Sequence, residues 1–286
     1  MTARSLGGRE VAQRLRTAAA DVVASCVTAG TLPRLAIVLA TREESAAAYV
    51  RTLSAAAARL GIECDVSNLP PDATATDIGA VLASLSADPA VHAVVLQAPV
   101  PAGLALTELA AVIAPAKDVD GASPASLGRL VAGLPAFAPA TAQAVLELLD
   151  YHGVELQGRR AVVVGRSVVV GKPVAQLLLA KNATVTICHS RTPDLSSITR
   201  SADVLVVAVG RAGLITAEHV RPGAVVVDVG TNVAADGSFV GDVDAAPVAE
   251  VAGALSPVPG GVGPVTTAQL LFNAATAAAT PFQFSG

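Results

Sequence analysis

Residues 161–173 read AVVVGRSVVVGKP, and this stretch decides how the surrounding chain folds. An apolar, β-branched run ends at Gly165, and a second glycine, Gly171, stands shortly before Pro173, which suits the first turn of a helix. Further apolar runs follow at 183–189 (ATVTICH), 203–209 (DVLVVAV) and 224–230 (AVVVDVG). Strands without polar alternation are typical of parallel sheets covered by helices on both faces. The second half of the chain is therefore predicted to be an α/β domain.

The first half of the chain shows the same alternation of helical and extended segments. An apolar run at 34–40 (RLAIVLA) lies between stretches of helical character at 8–29 and 43–60. Further along are an extended run at 63–69, a helix near 74–86, a strand at 92–97 and a proline-rich turn at 98–103. Such βαβ alternation predicts a three-layer α/β domain with a largely parallel sheet.

We expect an α/β protein of two domains. Residues 1–137 form an N-terminal three-layer α/β domain, and 138–265 form a Rossmann-type nucleotide-binding domain. The proline-rich segment near 136–140 marks the boundary. Residues 266–286, which include most of the last predicted helix, are expected to return to the first domain and complete it.

Composition excludes several classes of protein. With 52% apolar and 15% charged residues, the 286-residue chain can bury a large core and is not disordered. Its net charge of −4 offers no basic surface for nucleic acid. The charged N-terminal segment and the short apolar runs predict neither a signal peptide nor a membrane span, so we expect a cytoplasmic protein. The three cysteines and four histidines are too dispersed to predict a metal site.

The glycine-containing turn at 165–171 is a candidate phosphate site. Glycine permits close approach of a ligand to the backbone, and the helix that follows offers free N–H groups to a phosphate. We therefore expect Gly165 and Gly171 to shape a nucleotide site. The spacing differs from the G-x-G-x-x-G of many dinucleotide-binding domains, so an ordinary strand–turn–helix connection would explain it as well.

The end of the next strand indicates which dinucleotide is bound. NAD-binding domains usually carry an acid there, which holds the ribose 2′-hydroxyl. Here the sequence is CHSR at 188–191, without an acid. The hydroxyl of Ser190 and the guanidinium of Arg191 suit a 2′-phosphate, and Arg166 in the glycine turn adds a second positive charge. These residues favour NADP over NAD, the alternative being that Arg191 is a solvated loop residue.

Four other segments combine turn-forming residues with polar side chains. They are Tyr49-Val50, QAPVP at 97–101, KDVDG at 117–121 and PVPGGVGP at 257–264. KDVDG is followed by LGRL, and the glycine turn is followed by ATVTICHS. With these motifs the chain resembles, over nearly its whole length, the bifunctional methylenetetrahydrofolate dehydrogenase/cyclohydrolase family.

The resemblance implies a homodimeric enzyme of one-carbon metabolism that oxidises 5,10-methylenetetrahydrofolate to 5,10-methenyltetrahydrofolate with NADP. It also implies the catalytic, substrate-binding residues: Tyr49 stacks on the folate, Gln97 lies beside the one-carbon unit and Asp120 binds the pterin. The structural alternatives are ordinary packing for Tyr49, capping of the strand end for Gln97 and turn formation for Asp120. By resemblance the folate pocket includes Pro257, Gly260, Gly261 and Val262. The NADP contacts implied in the same way are Gly165, Arg166, Ser167, Ser190 and Thr231.

The chain departs from the family at the catalytic lysine. The family pattern is S-x-x-Y-V-x-x-K, and its lysine is the general acid/base of the cyclohydrolase step. With Tyr49 setting the register, Leu53 stands at the lysine position and Ala46 at the serine position. Arg51 lies on a different helix face and cannot act as a base near neutral pH. A further departure is PATAQA at 139–144, where the family has P-C-T-P-x-G.

The two reactions of the family make different demands on the protein. Hydride transfer mainly requires positioning, whereas hydrolysis of the methenyl product requires a positioned acid/base. We therefore predict an NADP-dependent dehydrogenase whose cyclohydrolase activity is weak or lost. The alternatives are the full bifunctional enzyme with a substitute acid/base, a folate- or NADP-binding paralogue without turnover, and a reductase redirected to another substrate.

Overall fold

The computed structural model describes residues 2–279. Its α-helices are α1 (Arg9–Thr28), α2 (Glu44–Arg59), α3 (Ala75–Ala87), α4 (Leu106–Ala110), α5 (Pro124–Val131), α6 (Ala140–Tyr151), α7 (Gly171–Ala180), α8 (Leu195–Thr199), α9 (Ala245–Val251) and α10 (Val262–Ala279). The strands are β1 (Arg4–Ser5), β2 (Arg34–Leu39), β3 (Glu63–Asn68), β4 (Ala93–Gln97), β5 (Arg160–Val164), β6 (Thr184–Cys188), β7 (Val204–Val207), β8 (Val225–Asp228), β9 (Asn232–Val233), β10 (Phe239–Val240) and β11 (Ala254–Leu255). Within the described residues, no helix is both long and apolar enough to cross a membrane.

The chain divides into two compact units. The six-stranded unit consists of the chain up to Gln13 and Thr141–Thr266, and the three-stranded unit consists of Arg14–Ala140 and the chain from Thr267. The expected division placed the first 13 residues with the three-stranded unit. They group with the other unit because β1 pairs in parallel with β11 and extends its sheet.

The six-stranded unit is built on a parallel sheet in the order β1-β11-β8-β7-β5-β6. Its central strands are buried, as their continuous valine and leucine runs predict. The chain passes from β5 to β6 on one side and then to β7 on the other. The strand order therefore reverses at the carboxyl end of β5, the place where ligands bind in such sheets.

The three-stranded unit has a parallel sheet in the order β3-β2-β4 with apolar residues on both faces. Along β2, Leu35 and Ile37 belong to a core shared with α2 and α10, whereas Ala36 and Val38 belong to a second core shared with α3. Because side chains alternate across a strand, each face of β2 meets a different helical layer. The prediction of a three-layer α/β domain is confirmed.

The C-terminal helix belongs largely to the three-stranded unit. Leu271 and Ala275 of α10 are fully buried in the core that includes α2. The Asn273 side-chain amide donates a hydrogen bond to the Val119 carbonyl at 2.9 Å. The predicted return of the last helix to the first domain is confirmed as far as Ala279, and residues 280–286 lie outside the described part of the chain.

Candidate functional site

The glycine turn after β5 is tightly packed at both ends. Gly165 has a φ of +129°, and a Cβ added there would overlap the Ala208 carbonyl oxygen. A Cβ at Gly171 would overlap the Gly165 carbonyl in the same way. Between them, the Ser167 hydroxyl accepts hydrogen bonds from the Val170 and Gly171 N–H groups at 3.2 and 3.3 Å. The two glycines are therefore required by close backbone packing that leads directly into α7.

A second turn, after β6, lies beside the glycine turn because β5 and β6 are neighbours. The His189 N–H donates to the Thr192 hydroxyl at 2.9 Å, and the Arg191 N–H donates to His189 Nδ1 at 3.1 Å. These bonds close the turn, while Ser190 and Arg191 remain exposed. The hydroxyl and the guanidinium are thus free to meet a ligand at the sheet edge.

A cavity of about 400 Å³, the nucleotide cavity, opens at this edge. Four of the predicted cofactor residues line it: Gly165, Arg166, Ser167 and Ser190. Gly171 and Arg191 lie next to lining residues without lining it themselves. His189, which the sequence places beside the expected NADP phosphate, also lines the cavity. The sequence predicted no role for several other lining residues, among them Thr192, Val209 and Arg211. Val209 and Arg211 follow β7, whose apolar run was the available signal for a turn at this edge.

Thr231 lies elsewhere, in a smaller cavity of about 180 Å³. That cavity also contains the predicted folate-loop residues Pro257, Gly260, Gly261 and Val262, together with Phe239. Gly260 has a φ of +108°, and its carbonyl accepts the Gly8 N–H at 2.8 Å. A Cβ at Gly8 would overlap the Gly261 carbonyl, so the PVPGGVGP loop packs directly on the N-terminal backbone.

In the three-stranded unit, Tyr49 and Asp120 are neighbours. Tyr49 is half-buried on α2, and its hydroxyl is hydrogen-bonded to the side chain of Thr267. Burial raises the pKa of Tyr49 to about 12, and the nearby Asp120 carboxylate also raises it. The phenol is therefore a hydrogen-bond donor at neutral pH.

Asp120 is a half-buried carboxyl group that titrates near neutral pH. Burial raises the pKa of Asp120 to about 7, the negative charge of Asp118 also raises it, and a hydrogen bond from the Ala140 N–H opposes both. A carboxyl with a pKa this close to neutrality can take up or release a proton during turnover.

The remaining polar and glycine residues of the KDVDG segment have structural partners. The Lys117 ammonium donates to the Asp88 carbonyl at 2.6 Å. The Asp118 carboxylate accepts the Ser123 N–H at 2.9 Å and the Ser126 hydroxyl at 2.6 Å, at the start of α5. Gly121 has a φ of +59° and lies against the backbone of 137–139. Asp120 is thus the charged side chain of this segment that is left for a ligand.

Gln97, the third predicted catalytic residue, is half-buried at the carboxyl end of β4. Its side-chain amide donates to the Ala98 carbonyl at 2.7 Å. This short local bond leaves the side-chain carbonyl available as an acceptor.

The position expected to carry a lysine is part of the hydrophobic core. Leu53 is 0% exposed and Ala46 is 5% exposed, and both pack in the core that α2 shares with β2 and α10. Arg51 points away, with an exposed guanidinium paired to Glu44 at 2.5 Å. Neither residue 53 nor residue 51 can therefore supply a base beside Tyr49.

Comparison with known proteins gives a consistent result over both units. The family model for the tetrahydrofolate dehydrogenase/cyclohydrolase catalytic domain matches residues 6–120, and the model for the NAD(P)-binding domain of that family matches residues 139–282. The Bifunctional protein FolD 1 of Rhodococcus jostii is 58% identical over 279 residues, which cover 98% of this chain and 94% of the relative.

Solved structures agree with these matches. The bifunctional FolD enzyme of Campylobacter jejuni is 35% identical, with a TM-score of 0.92 over 96% of this chain and 97% of that one. The methylenetetrahydrofolate dehydrogenase-cyclohydrolase of Trypanosoma brucei, solved with NADP cofactor and an inhibitor, is 36% identical, with a TM-score of 0.91 over 97% of this chain and 98% of that one.

Proposed function

The chain belongs to the tetrahydrofolate dehydrogenase/cyclohydrolase family, and on this basis we propose that it oxidises 5,10-methylenetetrahydrofolate to 5,10-methenyltetrahydrofolate with NADP, with weak or absent cyclohydrolase activity. Family membership supports the first part. The second part depends on one observation: Leu53, one helical turn after Tyr49, is a fully buried aliphatic residue where the family pattern has its acid/base lysine.

The nucleotide cavity fits NADP in its chemistry. NADP, when bound, accepts the hydride that the folate releases. Among the described residues that line the cavity are two arginines, Arg166 and Arg211, several hydroxyl groups and no acidic side chain. Arg191 adds an exposed guanidinium beside Ser190. Guanidinium groups bind phosphate in a bidentate manner, so this set favours the 2′-phosphate of NADP over the free hydroxyl of NAD.

The three-stranded unit supplies groups that suit a reduced pterin. The Tyr49 ring offers an apolar face, and its protonated hydroxyl offers a donor. The Asp120 carboxylate, when ionised, accepts hydrogen bonds from the pterin N–H groups. Gln97 contributes a side-chain carbonyl at the end of β4. We assign these three residues to substrate binding and to orientation of the methylene carbon for hydride transfer.

The two activities separate because of their proton requirements. Hydride loss leaves a delocalised methenyl cation and moves no proton, so positioning supplies most of the rate acceleration. Ring opening by water requires that a proton leave the water and that another reach the folate nitrogen. A positioned acid/base typically accelerates such a step about 10²–10⁴-fold. Leu53 has no titratable group, and Arg51 is exposed and paired with Glu44.

A second candidate is the full bifunctional enzyme with Asp120 as substitute acid/base. Two observations favour it: Asp120 titrates near neutral pH beside Tyr49, and the 58% identical relative carries the name Bifunctional protein FolD 1. In this alternative the Asp120 carboxyl would shuttle the proton that the family lysine shuttles elsewhere.

A paired assay on the purified protein separates the candidates. NADPH formation from methylenetetrahydrofolate and NADP supports the dehydrogenase, and its absence would indicate a binding protein without turnover or a reductase for another substrate. The same sample is then supplied with methenyltetrahydrofolate. Decay at the rate of a protein-free blank supports loss of the cyclohydrolase, whereas rapid protein-dependent decay that Asp120→Asn abolishes supports the second candidate.

We also infer that the protein is a homodimer, as the family resemblance implies, and that it is cytoplasmic, as expected from the sequence. Light scattering on the purified protein tests the dimer, with a mass near 28.3 kDa contradicting it. Cell fractionation tests the compartment.

A further inference from the structure

Two buried carboxylates lie at the edge of the six-stranded sheet where the nucleotide cavity opens. Asp228 ends β8 and is 3% exposed, and Asp242 follows β10 and is fully buried. Because β7 and β8 are adjacent, with Val207 opposite Asp228, the segments that follow these two strands lie side by side. The sequence predicts that the segment 228–232 ends a strand at the carboxyl edge where cofactors lie, but it assigns no role to either carboxylate.

Asp242 holds the segment after β7. One carboxylate oxygen accepts the Val209 and Gly210 N–H groups at 2.6 and 3.0 Å, and the other accepts the Arg211 N–H at 2.7 Å. Three consecutive amides therefore point at one side chain, together with the Asn232 side-chain amide at 2.9 Å. Val209 and Arg211 line the nucleotide cavity, so Asp242 shapes that wall from behind.

Asp228 holds the segment after β8 and also holds Asp242 itself. Its Oδ1 accepts the Gly230 and Asp242 N–H groups at 2.9 and 3.0 Å, and its Oδ2 accepts the Val243 N–H at 2.9 Å. The two carboxylates thus form one brace, in which Asp228 fixes the backbone that carries Asp242.

Two glycines make room for this brace. A Cβ at Gly230 would overlap the Asp242 carboxyl carbon, and a Cβ at Gly241 would overlap the Asp228 carboxylate. Each carboxylate therefore fills the space that a side chain on the other segment would need. Two negative charges this close in a buried place are unfavourable unless every oxygen is satisfied, and here each oxygen accepts at least one N–H.

We propose that Asp228 and Asp242 are positioning residues for the pyridine nucleotide: Asp242 holds the 209–211 segment in the conformation that NADP binding requires, and Asp228 holds Asp242. The inference rests on the proposed function, since it takes NADP as the occupant of the nucleotide cavity. Neither carboxylate needs to touch the nucleotide, because both act through backbone amides.

The test measures the Kd for NADP by calorimetry on the purified protein and its Asp242→Asn variant. In the unmodified protein both carboxylate oxygens of Asp242 accept backbone N–H groups. Asparagine replaces one of these oxygens with an NH₂ group, so that a donor then faces the backbone N–H donors. Because hydrogen bonds to a charged group are lost, the Kd for NADP should rise about tenfold or more. The KM for methylenetetrahydrofolate should stay within about twofold, since Asp242 does not line the cavity of the PVPGGVGP loop and the side chains that we assign to the pterin lie in the three-stranded unit. Amide hydrogen exchange at 209–211 should become faster.

Asp203→Asn is the matched control. Asp203 also accepts a backbone N–H, from Arg160 at 2.9 Å, and pairs with Arg221, but it lies at the amino ends of β5 and β7. If Asp203→Asn weakens NADP binding as much as Asp242→Asn, the effect is general destabilisation and the inference is wrong. An unchanged Kd in Asp242→Asn also overturns it.

The remaining outcomes also decide the question. If Asp242→Asn does not fold, Asn232→Ala decides, because it removes one donor to Asp242 and leaves the backbone amides in place. NADP binding about threefold weaker supports the inference, and unchanged binding overturns it. If the unmodified protein does not bind NADP, the proposed function fails and this inference fails with it. If it binds NADP and the variants bind equally well, only the brace is refuted.

Discussion

Leu53 follows Tyr49 by one turn of α2, and the two side chains have different surroundings. Leu53 is 0% exposed in the hydrophobic core, whereas the Tyr49 hydroxyl is hydrogen-bonded to Thr267 and lies near the charge of Asp120. Residues four apart on a helix are neighbours, so a long side chain at position 53 can keep its stem in the core and bring a polar end toward Tyr49.

Restoring the family pattern should therefore restore hydrolysis. In the double variant Leu53→Lys with Ala46→Ser, we expect protein-dependent decay of methenyltetrahydrofolate to increase at least tenfold, within the range of about 10²–10⁴ that a positioned acid/base provides. NADPH formation should be retained, because hydride transfer needs no proton. The methenyl absorbance and the NADPH absorbance are followed on the same preparation.

The control for this variant is Leu53→Met with Ala46→Ser, which keeps a flexible side chain of similar length without the amine. It should leave methenyl decay at the level of the unmodified protein. Rapid decay in the unmodified protein, or an equal gain in the methionine variant, would contradict the proposal that Leu53 makes the cyclohydrolase activity weak or absent.

Asp120 should make substrate affinity dependent on pH. Its pKa is raised to about 7, mainly by burial, so that the carboxylate predominates only above this pH. If the carboxylate binds the pterin, the KM for methylenetetrahydrofolate falls as the pH rises through about 7. The KM for NADP should not follow this profile, because Asp120 belongs to the three-stranded unit.

Ionisation of Asp120 should lower the stability of the protein as the pH rises, although it should increase the affinity for the substrate. Asp120 has a higher pKa in the folded protein than in the unfolded chain, so unfolding between about pH 4 and 7 releases a proton. The free energy of unfolding therefore falls as the pH rises through this range. In Asp120→Asn the part of this loss that Asp120 causes disappears, and the part caused by Asp228, whose pKa burial raises to about 6, remains. The pH dependence of the folate KM disappears in this variant. Urea unfolding at several pH values checks the first expectation. An unaltered KM profile in the variant would show that another group titrates.

Long apolar runs made most of the fold predictable. The buried strands β2, β4, β5, β7 and β8 consist mainly of valine, leucine, isoleucine and alanine without polar alternation, which is typical of buried parallel strands. The two-residue strands β1, β9, β10 and β11 are too short to show a periodicity. The first 13 residues belong to the six-stranded unit because the short strand β1 pairs with β11. The helical pattern that follows β1 gives no sign of this pairing.

The parts of the candidate site that are formed by continuous segments were predictable from the sequence. The glycine turn and the CHSR segment are each continuous, and both reach the same cavity because β5 and β6 are neighbours. Asp242 was missed because its partners at 209–211 lie about thirty residues earlier in the chain. The burial of Leu53 likewise depends on packing against β2 and α10, which a helix pattern does not specify.

The preference for NADP should depend on the two guanidinium groups near Ser190. We expect Arg166→Ala and Arg191→Ala each to raise the KM for NADP about tenfold or more, because each removes a charge-assisted hydrogen bond to the 2′-phosphate. The KM for NAD, which lacks this phosphate, should change little. Initial rates with each nucleotide at saturating methylenetetrahydrofolate provide the comparison.

Arg200→Ala is the matched control for these variants. Arg200 is an exposed arginine of the same unit, directly after α8, and it does not line the nucleotide cavity. Its removal takes away one positive charge, as the other two substitutions do, and should leave both KM values within about twofold. Unchanged KM values for both nucleotides in Arg191→Ala would show that this arginine is a solvated loop residue, and equal losses with both would show that it does not recognise the 2′-phosphate.

The same substitution at two glycines should have opposite effects on stability. Gly171 begins α7, and a Cβ there would overlap the Gly165 carbonyl, so Gly171→Ala should lower the free energy of unfolding by about 1–3 kcal/mol. Gly79 lies inside α3 with open space around it, so Gly79→Ala should raise stability by up to about 1 kcal/mol. Urea unfolding measures both. Gly171→Ala should also weaken NADP binding, because the backbone that it displaces forms the wall of the nucleotide cavity. If Gly171→Ala leaves both stability and NADP affinity unchanged, this turn does not need its close packing.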